Sequence, residues 1–451
     1  MALPLFSDLG YLGWGDSGTG SDGGPGGTAP VGGAASNPVP DDLVDLVTDE
    51  SGTLAVAYGL HAVRGHLILN KRTVGPPATS VIIVALGEGE WDGVEALYYA
   101  GDVIDPANYH FHPGTLSSGT GDPVQGVDSF HSAGLTYNKT AYIAVNLPEK
   151  YAAEDRPDKL LGIYRTLKVP LYDSAGNRTV NAQYSVNPAQ AAAHAIIDRA
   201  GLPESRVDWG SWGNFWNFCQ ETISWDNDGD NTSNLTIRRA ECHVAFTQET
   251  DLATALDVIC GTAGVVWQDD GSRISFKLPT DQTTVFDFNE SNIRENSFNF
   301  TCRELKERPN RLQGRFRDVL DPFLAEATEE ALTRDALIDA VGVVDPGVRA
   351  LGNMNYSQAQ RLLERMMRIE SDNPIIAEFT GMSDSLHVLP GDYVTVTHRA
   401  ADWGFAPCIV LEAVYESSEK TADEVKFIVQ RIDSALYLDT DQRPAQGPVT
   451  P

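Results

Sequence analysis

SVIIVALGEGEWDGVEALYYAGDVID, Ser80 to Asp105, decides how the rest of the chain is read. It opens with an unbroken apolar run, Val81 to Leu86, rich in β-branched residues, which predicts a fully buried strand. Gly87-Glu88-Gly89-Glu90 then breaks the run, and Asp92-Gly93 is a second turn signal. Val94, Ala96, Tyr98 and Ala100 alternate with Glu95, Leu97 and Tyr99, predicting a second strand. Gly101-Asp102 turns again, and Val103-Ile104 starts a third. Period alone describes a β-meander of any β-rich protein.

Length and composition set the frame around this stretch. A chain of 451 residues, 42% of them hydrophobic, holds more than one core, and two to four domains are expected. Its 33 basic and 63 acidic side chains leave a net charge of −30. That excess argues against polyanionic partners such as nucleic acid or an acidic membrane surface. The N-terminus, MALPLFSDLGYLGWGD, has no basic region and does not read as a signal peptide, and no apolar run is long enough for a membrane helix, so no anchor is expected. Five cysteines, Cys219, Cys242, Cys260, Cys302 and Cys408, are widely spaced without a CxxC and read as reduced thiols.

Along the chain, residues 1–42 form a Gly-rich arm whose apolar tip carries Phe6, Tyr11 and Trp14. The arm reads either as a free tail or as a segment that docks on a neighbouring subunit through those three aromatics. Residues 43–178 read as a β domain. Residues 179–290 change grammar. Asn187-Pro188 predicts a helix with Asn187 as its cap, and Val207 to Ile223 predicts an aromatic-rich helix. Glu241 to Leu278 spells β-α-β-β, with Thr247 or Thr250 capping the helix and Asp270-Gly271 turning the final hairpin. Residues 291–318 and 373–438 read as strands of one further β domain, interrupted at 319–372 by helices predicted over Ala325–Val341 and Tyr356–Ser371. Residues 439–451 are a polar tail.

The apolar strand followed by Gly-Glu-Gly-Glu-Trp-Asp-Gly resembles the early part of tail-tip hub proteins of long-tailed bacteriophages, the J-type or baseplate hub proteins. The Tyr58-Gly59 then Arg64-Gly65 pattern is similar to the same family's first domain. The Asn187-Pro188-Ala189 helix, the β-α-β-β unit with Trp267 and Phe276 about its turn, and the Leu389-Pro-Gly-Asp392 turn follow in the family's order, over roughly 43–435. The resemblance implies a β-rich α+β multidomain chain with two tail-tube-like β-barrels (43–178, and 291–318 with 373–438). A ferredoxin-like β-α-β-β domain and a small helical insert complete it. It also implies a structural virion protein without enzymatic role or cofactor. Such a protein is a homotrimer that adapts a sixfold tail tube to a threefold tip. Its partners would be the distal tail protein and tube ring, the tape measure protein, other tail-tip or fibre proteins, and DNA passing without specific binding. It is made in the host cytoplasm and resides at the tail tip.

Candidate chemical sites are few. Asp226, Asp228 and Asp230 alternate and could gather around Ca²⁺, but the Gly and Glu positions of an EF-hand are missing, so a solvated acidic turn is the expectation. His110 and His112 share a strand face as a possible metal pair, whose needed third ligand would be His131 in the polar loop that follows. No GxSxG, HExxH or GxxxxGK[ST] occurs. Arg311, Arg315 and Arg317, in the most basic segment, are candidate contacts for an acidic partner ring, a solvated strand face being the alternative. Two rivals remain: a tail-associated cell-wall hydrolase, which predicts a catalytic motif, and a secreted β-rich adhesin or carbohydrate-binding protein, which predicts a signal peptide and disulfides.

Overall fold

The structure is a computed structural model that describes residues 54–73, 79–115, 139–147, 159–173, 175–226, 234–280, 283–319, 326–330, 333–415 and 424–433. The Val81–Leu86 run lies in β4. The strands before and around it are β1 (Val56–Tyr58), β2 (Leu60–Val63), β3 (His66–Thr73), β4 (Thr79–Glu88) and β5 (Trp91–Tyr99). They continue as β6 (Asp102–Val103), β7 (Tyr109–His112), β8 (Thr140–Leu147), β9 (Leu160–Tyr172) and β10 (Arg178–Tyr184). Strand β4 is interior to a four-stranded sheet, β3-β4-β8-β7, while β10-β9-β5-β6, with β2 also on β9, forms a second sheet. Ile82, Val84 and Leu86 enter the main core, whereas Val81 and Ile83 pack with Tyr142 and Ala144 on the other face. Both faces are covered, which is why the run is continuous instead of alternating. Asp92-Gly93, expected as a turn, lies inside β5. The Asp92 carboxylate pairs with Arg165 Nε of β9 at 2.7 Å, so cross-strand pairing overrides the local turn signal. The break falls at Gly89-Glu90, between β4 and β5.

The next unit contains helices α1 (Pro188–His194), α2 (Trp209–Gln220) and α3 (Leu252–Gly261). Its strands are β11 (Thr222–Asp226), β12 (Asn234–Arg238), β13 (Val244–Phe246), β14 (Val266–Asp269) and β15 (Ile274–Lys277). Asn187 caps α1 as expected, its side chain accepting from Ala189 N–H, with Pro188 in the first turn. Asp208 caps α2. Asp251, and neither Thr247 nor Thr250, caps α3 by accepting from Thr254 N–H at 3.0 Å. A carboxylate there also suits the helix dipole. The chain order β-α-β-β is present, but the strands do not form one ferredoxin-like sheet. Strand β13 pairs antiparallel with β1, 186 to 190 residues earlier in its register, and β14-β15 stands as a separate hairpin with Trp267 opposite Phe276. Consequently one core runs through both units, from Ala55 to Phe276, with Trp91, Trp212 and Phe215 fully buried.

The rest of the chain builds two further layers. In order they are β16 (Thr284–Phe288), β17 (Asn299–Cys302), β18 (Gln313–Asp318), β19 (Glu326–Glu330), α4 (Asp335–Val341), β20 (Val348–Met354) and α5 (Tyr356–Met367). Strands β21 (Ile375–Gly381), β22 (Tyr393–His398), β23 (Trp403–Tyr415) and β24 (Val425–Arg431) close the series. Six of these strands form one sheet, β16-β22-β23-β24-β21-β17, with its own core around Phe288, Phe379 and Phe427. Strand β16, expected with the preceding unit, belongs to this sheet. Strand β18, expected in the second barrel, instead centres a three-stranded sheet, β19-β18-β20, whose core around Phe316 and Leu351 is closed by Leu363 and Met367 of α5. The single helix expected over Ala325–Val341 is a strand followed by a short helix. Glu326 to Glu330 pair in register with Arg317 to Gln313, and that tertiary pairing overrides a helical composition. No sheet closes into a barrel among the described residues. The six-stranded sheet curls far enough for Phe298 to stack on His398 with ring centroids 3.8 Å apart, yet its edges β16 and β17 exchange no ladder.

Candidate functional site: surfaces and a buried polar junction

The described residues place six of the side chains singled out in the sequence: His110, His112, Asp226, Arg311, Arg315 and Arg317. His110 and His112 lie on one face of β7, their ring centroids 4.5 Å apart, and His112 stacks on Tyr142 of β8 at 4.2 Å. Among the described residues no group of three His, Cys, Asp or Glu is placed to hold a metal ion, and His131 lies outside them. Asp226 ends β11, while Asp228 and Asp230 lie outside the described residues, as do Phe6, Tyr11 and Trp14. Arg311 precedes β18 and is half-buried, Arg315 is exposed, and Arg317 is only 2% exposed within this chain. Of the three, Arg315 is therefore the one the isolated chain presents most openly. All five cysteines are free. Cys219, Cys242, Cys260 and Cys408 are buried, and burial pushes the Cys242 and Cys408 thiols up to about 12. Such thiols are unreactive at neutral pH.

The chemistry that sequence reading missed is a buried junction where three parts of the chain meet. His61 of β2 is 2% exposed. Its Nδ1 accepts from Asn353 Nδ2 at 3.1 Å, which leaves Nε2–H to donate to the Tyr58 carbonyl at 3.0 Å. One residue away in space, Leu60 N–H donates to His243 Nδ1 at 2.9 Å, and His243 Nε2–H reaches Glu241 at 3.2 Å. Each ring is thereby fixed as its Nε2–H tautomer by a partner that can only donate. Tyr58 O–H lies 2.8 Å from Nδ1 of buried His194. Burial, reinforced by His243, drives His61 down to about 3, and burial drives His194 down to about 4. Gln358, at the start of α5, completes the junction. Its oxygen accepts from Glu241 N–H at 3.0 Å, and its amide donates to the carbonyls of Glu241 at 2.9 Å and Thr262 at 2.7 Å. This constellation binds β1–β2, the β13 strand and the α5 layer to one another. Its histidines and the Gln358 amide are buried and spend their polar atoms on one another and on backbone groups. What it can do is hold three layers in register. The signal for it in the sequence was Tyr58-Gly59: with φ +82° and an ideal Cβ only 2.3 Å from Cys242 O, Gly59 is where the junction needs no side chain.

The surface carries features of another kind. Strand β17 is a sheet edge whose four residues, Asn299-Phe-Thr-Cys302, are all exposed and uncharged. Phe405, near the start of β23, is 71% exposed. No helix is long and apolar enough to cross a membrane among the described residues.

No protein-family profile matches the chain, and no curated protein matches it in sequence. Its fold is shared with a chain of the virion of a native gene transfer agent particle, with a TM-score of 0.65, 14% identity and 88% of each chain covered. Two crystal structures align more loosely. The tail protein from Neisseria meningitidis MC58 gives a TM-score of 0.32 at 9% identity over 84% of this chain and 95% of that one. The 43 kDa tail protein of prophage MuSo2 from Shewanella oneidensis gives 0.32 at 8% identity, over 85% and 98%. The first of the three is a virion component. At these identities the likeness is one of fold, and it rests on the first of them.

Proposed function

We propose that the chain is a structural virion protein, the hub of a phage-type tail tip, without enzymatic activity. The observation that carries this reading is the shared fold with a virion component over 88% of both chains. In this reading three copies form a ring. Each contributes two β units, the paired sheets of residues 54–184 and the six-stranded sheet, so that six units face a sixfold tail tube. The distal tail protein and tube ring, the tape measure protein and other tip or fibre proteins are its neighbours, and DNA passes through or is held back at the ring. Its site of action is the virion tail tip, after synthesis in the host cytoplasm. The exposed, uncharged β17 edge supports an assembly role, since a free edge of this composition is a liability in a monomer and an asset in a ring. Mass measurement by native mass spectrometry, with imaging of purified particles, tests the proposal. Three copies at the end of the tail tube are expected. A stoichiometry of six, or absence from particles that carry complete tails, overturns it.

A further inference from the structure

We propose that the cleft between α5 and the ends of α2, β12 and α3 binds a small oxyanion of the phosphate class. Its lining carries four guanidiniums, Arg239, Arg361, Arg365 and Arg368, against one carboxylate, Glu364. The whole chain has 33 bases and 63 acids, so the cleft reverses the sign of the molecule locally. Glu221 takes Arg239 Nε at 2.7 Å. With that acid set against Arg239, two positive charges remain in excess among these residues. A doubly charged anion matches that excess. The open space is about 50 Å³. A single water requires roughly 10–15 Å³, so the cleft admits a small polyatomic ion. Space this confined favours a free ion over a phosphate that carries a chain.

The arginines are held in place before anything binds. Arg361, Arg365 and Arg368 follow one another at four and three residues, a single stripe along α5 and the turn after it. Like charges one helical turn apart repel, and the attraction of cations to a helix C-terminus does not cover Arg361, in the second turn of α5. Backbone carbonyls orient the side chains: Arg361 Nη2 donates to Arg239 O at 2.6 Å and Arg365 Nη1 to Gly264 O at 2.5 Å. A neutral carbonyl fixes a guanidinium without cancelling its charge. Gly264, at φ +65°, makes the room, since an ideal Cβ there would lie 2.4 Å from Arg365 Nη1. Arg239 is steadied on the other wall, its guanidinium 5.1 Å from the centroid of the Phe218 ring. Guanidiniums that converge on one space from two walls suit a tetrahedral oxyanion, which accepts their paired N–H donors. An ion seated there would bridge α5 to the unit that holds α2 and α3. The inference does not depend on the hub reading.

Calorimetric titration of the full chain with inorganic phosphate, in chloride at constant ionic strength, tests it. One phosphate per chain is expected. Arg365→Gln is expected to weaken binding about tenfold or more, the value of one lost charge-assisted hydrogen bond. Arg368→Gln, read out in the same way, serves if Arg365→Gln does not fold. Arg294→Gln, whose guanidinium pairs with Glu424 beside the six-stranded sheet, should leave the affinity unchanged. Hydrogen exchange gives a second readout: phosphate should raise the protection of α5 amides and leave the β4–β8 ladder as it was. A short single-stranded oligonucleotide offers the same group on a chain and should bind no more tightly than the free ion. No binding at millimolar phosphate, an affinity insensitive to both cleft variants, or tighter binding of the oligonucleotide overturns the assignment.

Discussion

At the scale of single residues, His61 shows how a hydrogen-bond pattern becomes a pH dependence. Both of its ring nitrogens are satisfied only in the neutral form, and protonation would turn Nδ1 toward the amide of Asn353, donor against donor. Its folded value, about 3, and that of His194, about 4, lie below the ordinary histidine value near 6.5. Between those limits the unfolded chain binds more protons than the folded one, so stability rises with pH there. It is fully present above about pH 7 and is lost progressively as the pH falls toward 4. At pH 5 each histidine withdraws roughly 2 kcal/mol. Urea unfolding at pH 7.5, 6 and 5 checks this, with His61→Gln as comparison: the variant's stability should depend on pH less steeply, by up to about 1.4 kcal/mol per pH unit. Identical slopes for the two proteins contradict the role given to His61. Beside it, Gly59→Ala should destabilise by about 3 kcal/mol or more. The added methyl meets backbone at Cys242, and the residue must hold φ +82°, so thermal unfolding should show a large drop in Tm.

At the scale of elements, what was legible in the sequence was local. The α1 cap at Asn187 and Pro188, the β14–β15 hairpin around Asp270-Gly271, and the amphipathic α5 helix with its buried methionines each follow from neighbours within a few residues. What was not legible depends on partners far away. Glu326–Glu330 became a strand because β18 accepted it, Asp92-Gly93 stayed extended because Arg165 faces it, and β13 left its expected sheet for β1. The buried junction was invisible for the same reason, since Asn353 lies 292 residues from His61. Gln358 tests how such remote contacts hold elements together. Replacing it by Leu keeps the volume near but leaves the Glu241 N–H and two carbonyls without their partner. Orphaned buried polar groups cost about 1–3 kcal/mol each, so the layer formed by α5 should loosen by several kcal/mol in total. Hydrogen exchange is the discriminating measurement. Amides of α5 and around Glu241 should lose protection while the β4–β8 ladder keeps it. Uniform loss across both would mean that the layers unfold as one unit and that Gln358 is no local clasp.

At the scale of the whole molecule the unexplained quantity is charge. Arg165, Lys168, Arg199, Arg206, Arg239 and Arg294 are each engaged with Asp or Glu side chains of this chain, so bases are consumed in pairs and the 30 surplus acids remain. In the proposed trimer three copies carry 3 × −30, about −90. Single exposed charges interact by only about 1 kcal/mol at 4 Å in water, but around a narrow passage with low-dielectric walls they sum. Basic side chains on such a wall would hold DNA through release of its counterions, an effect that grows with each Lys or Arg. A passage that must let DNA leave needs the opposite sign. The expected outcome is an inner wall with net negative charge, in which the exposed Arg315 points away from the axis or toward acids of a neighbour. The same surplus makes assembly sensitive to ionic strength. Like charges on adjoining copies repel less as the screening length shortens from about 30 Å at 0.01 M salt to about 8 Å at 0.15 M. Light scattering across that range should therefore show the trimer fraction rising with salt, the reverse of an association driven by opposite charges. A ring whose axis is lined by Lys and Arg, or a trimer that dissociates on adding salt, would remove charge from the explanation. The acidic excess would then have to serve the outer surface, where solubility is its plainest use.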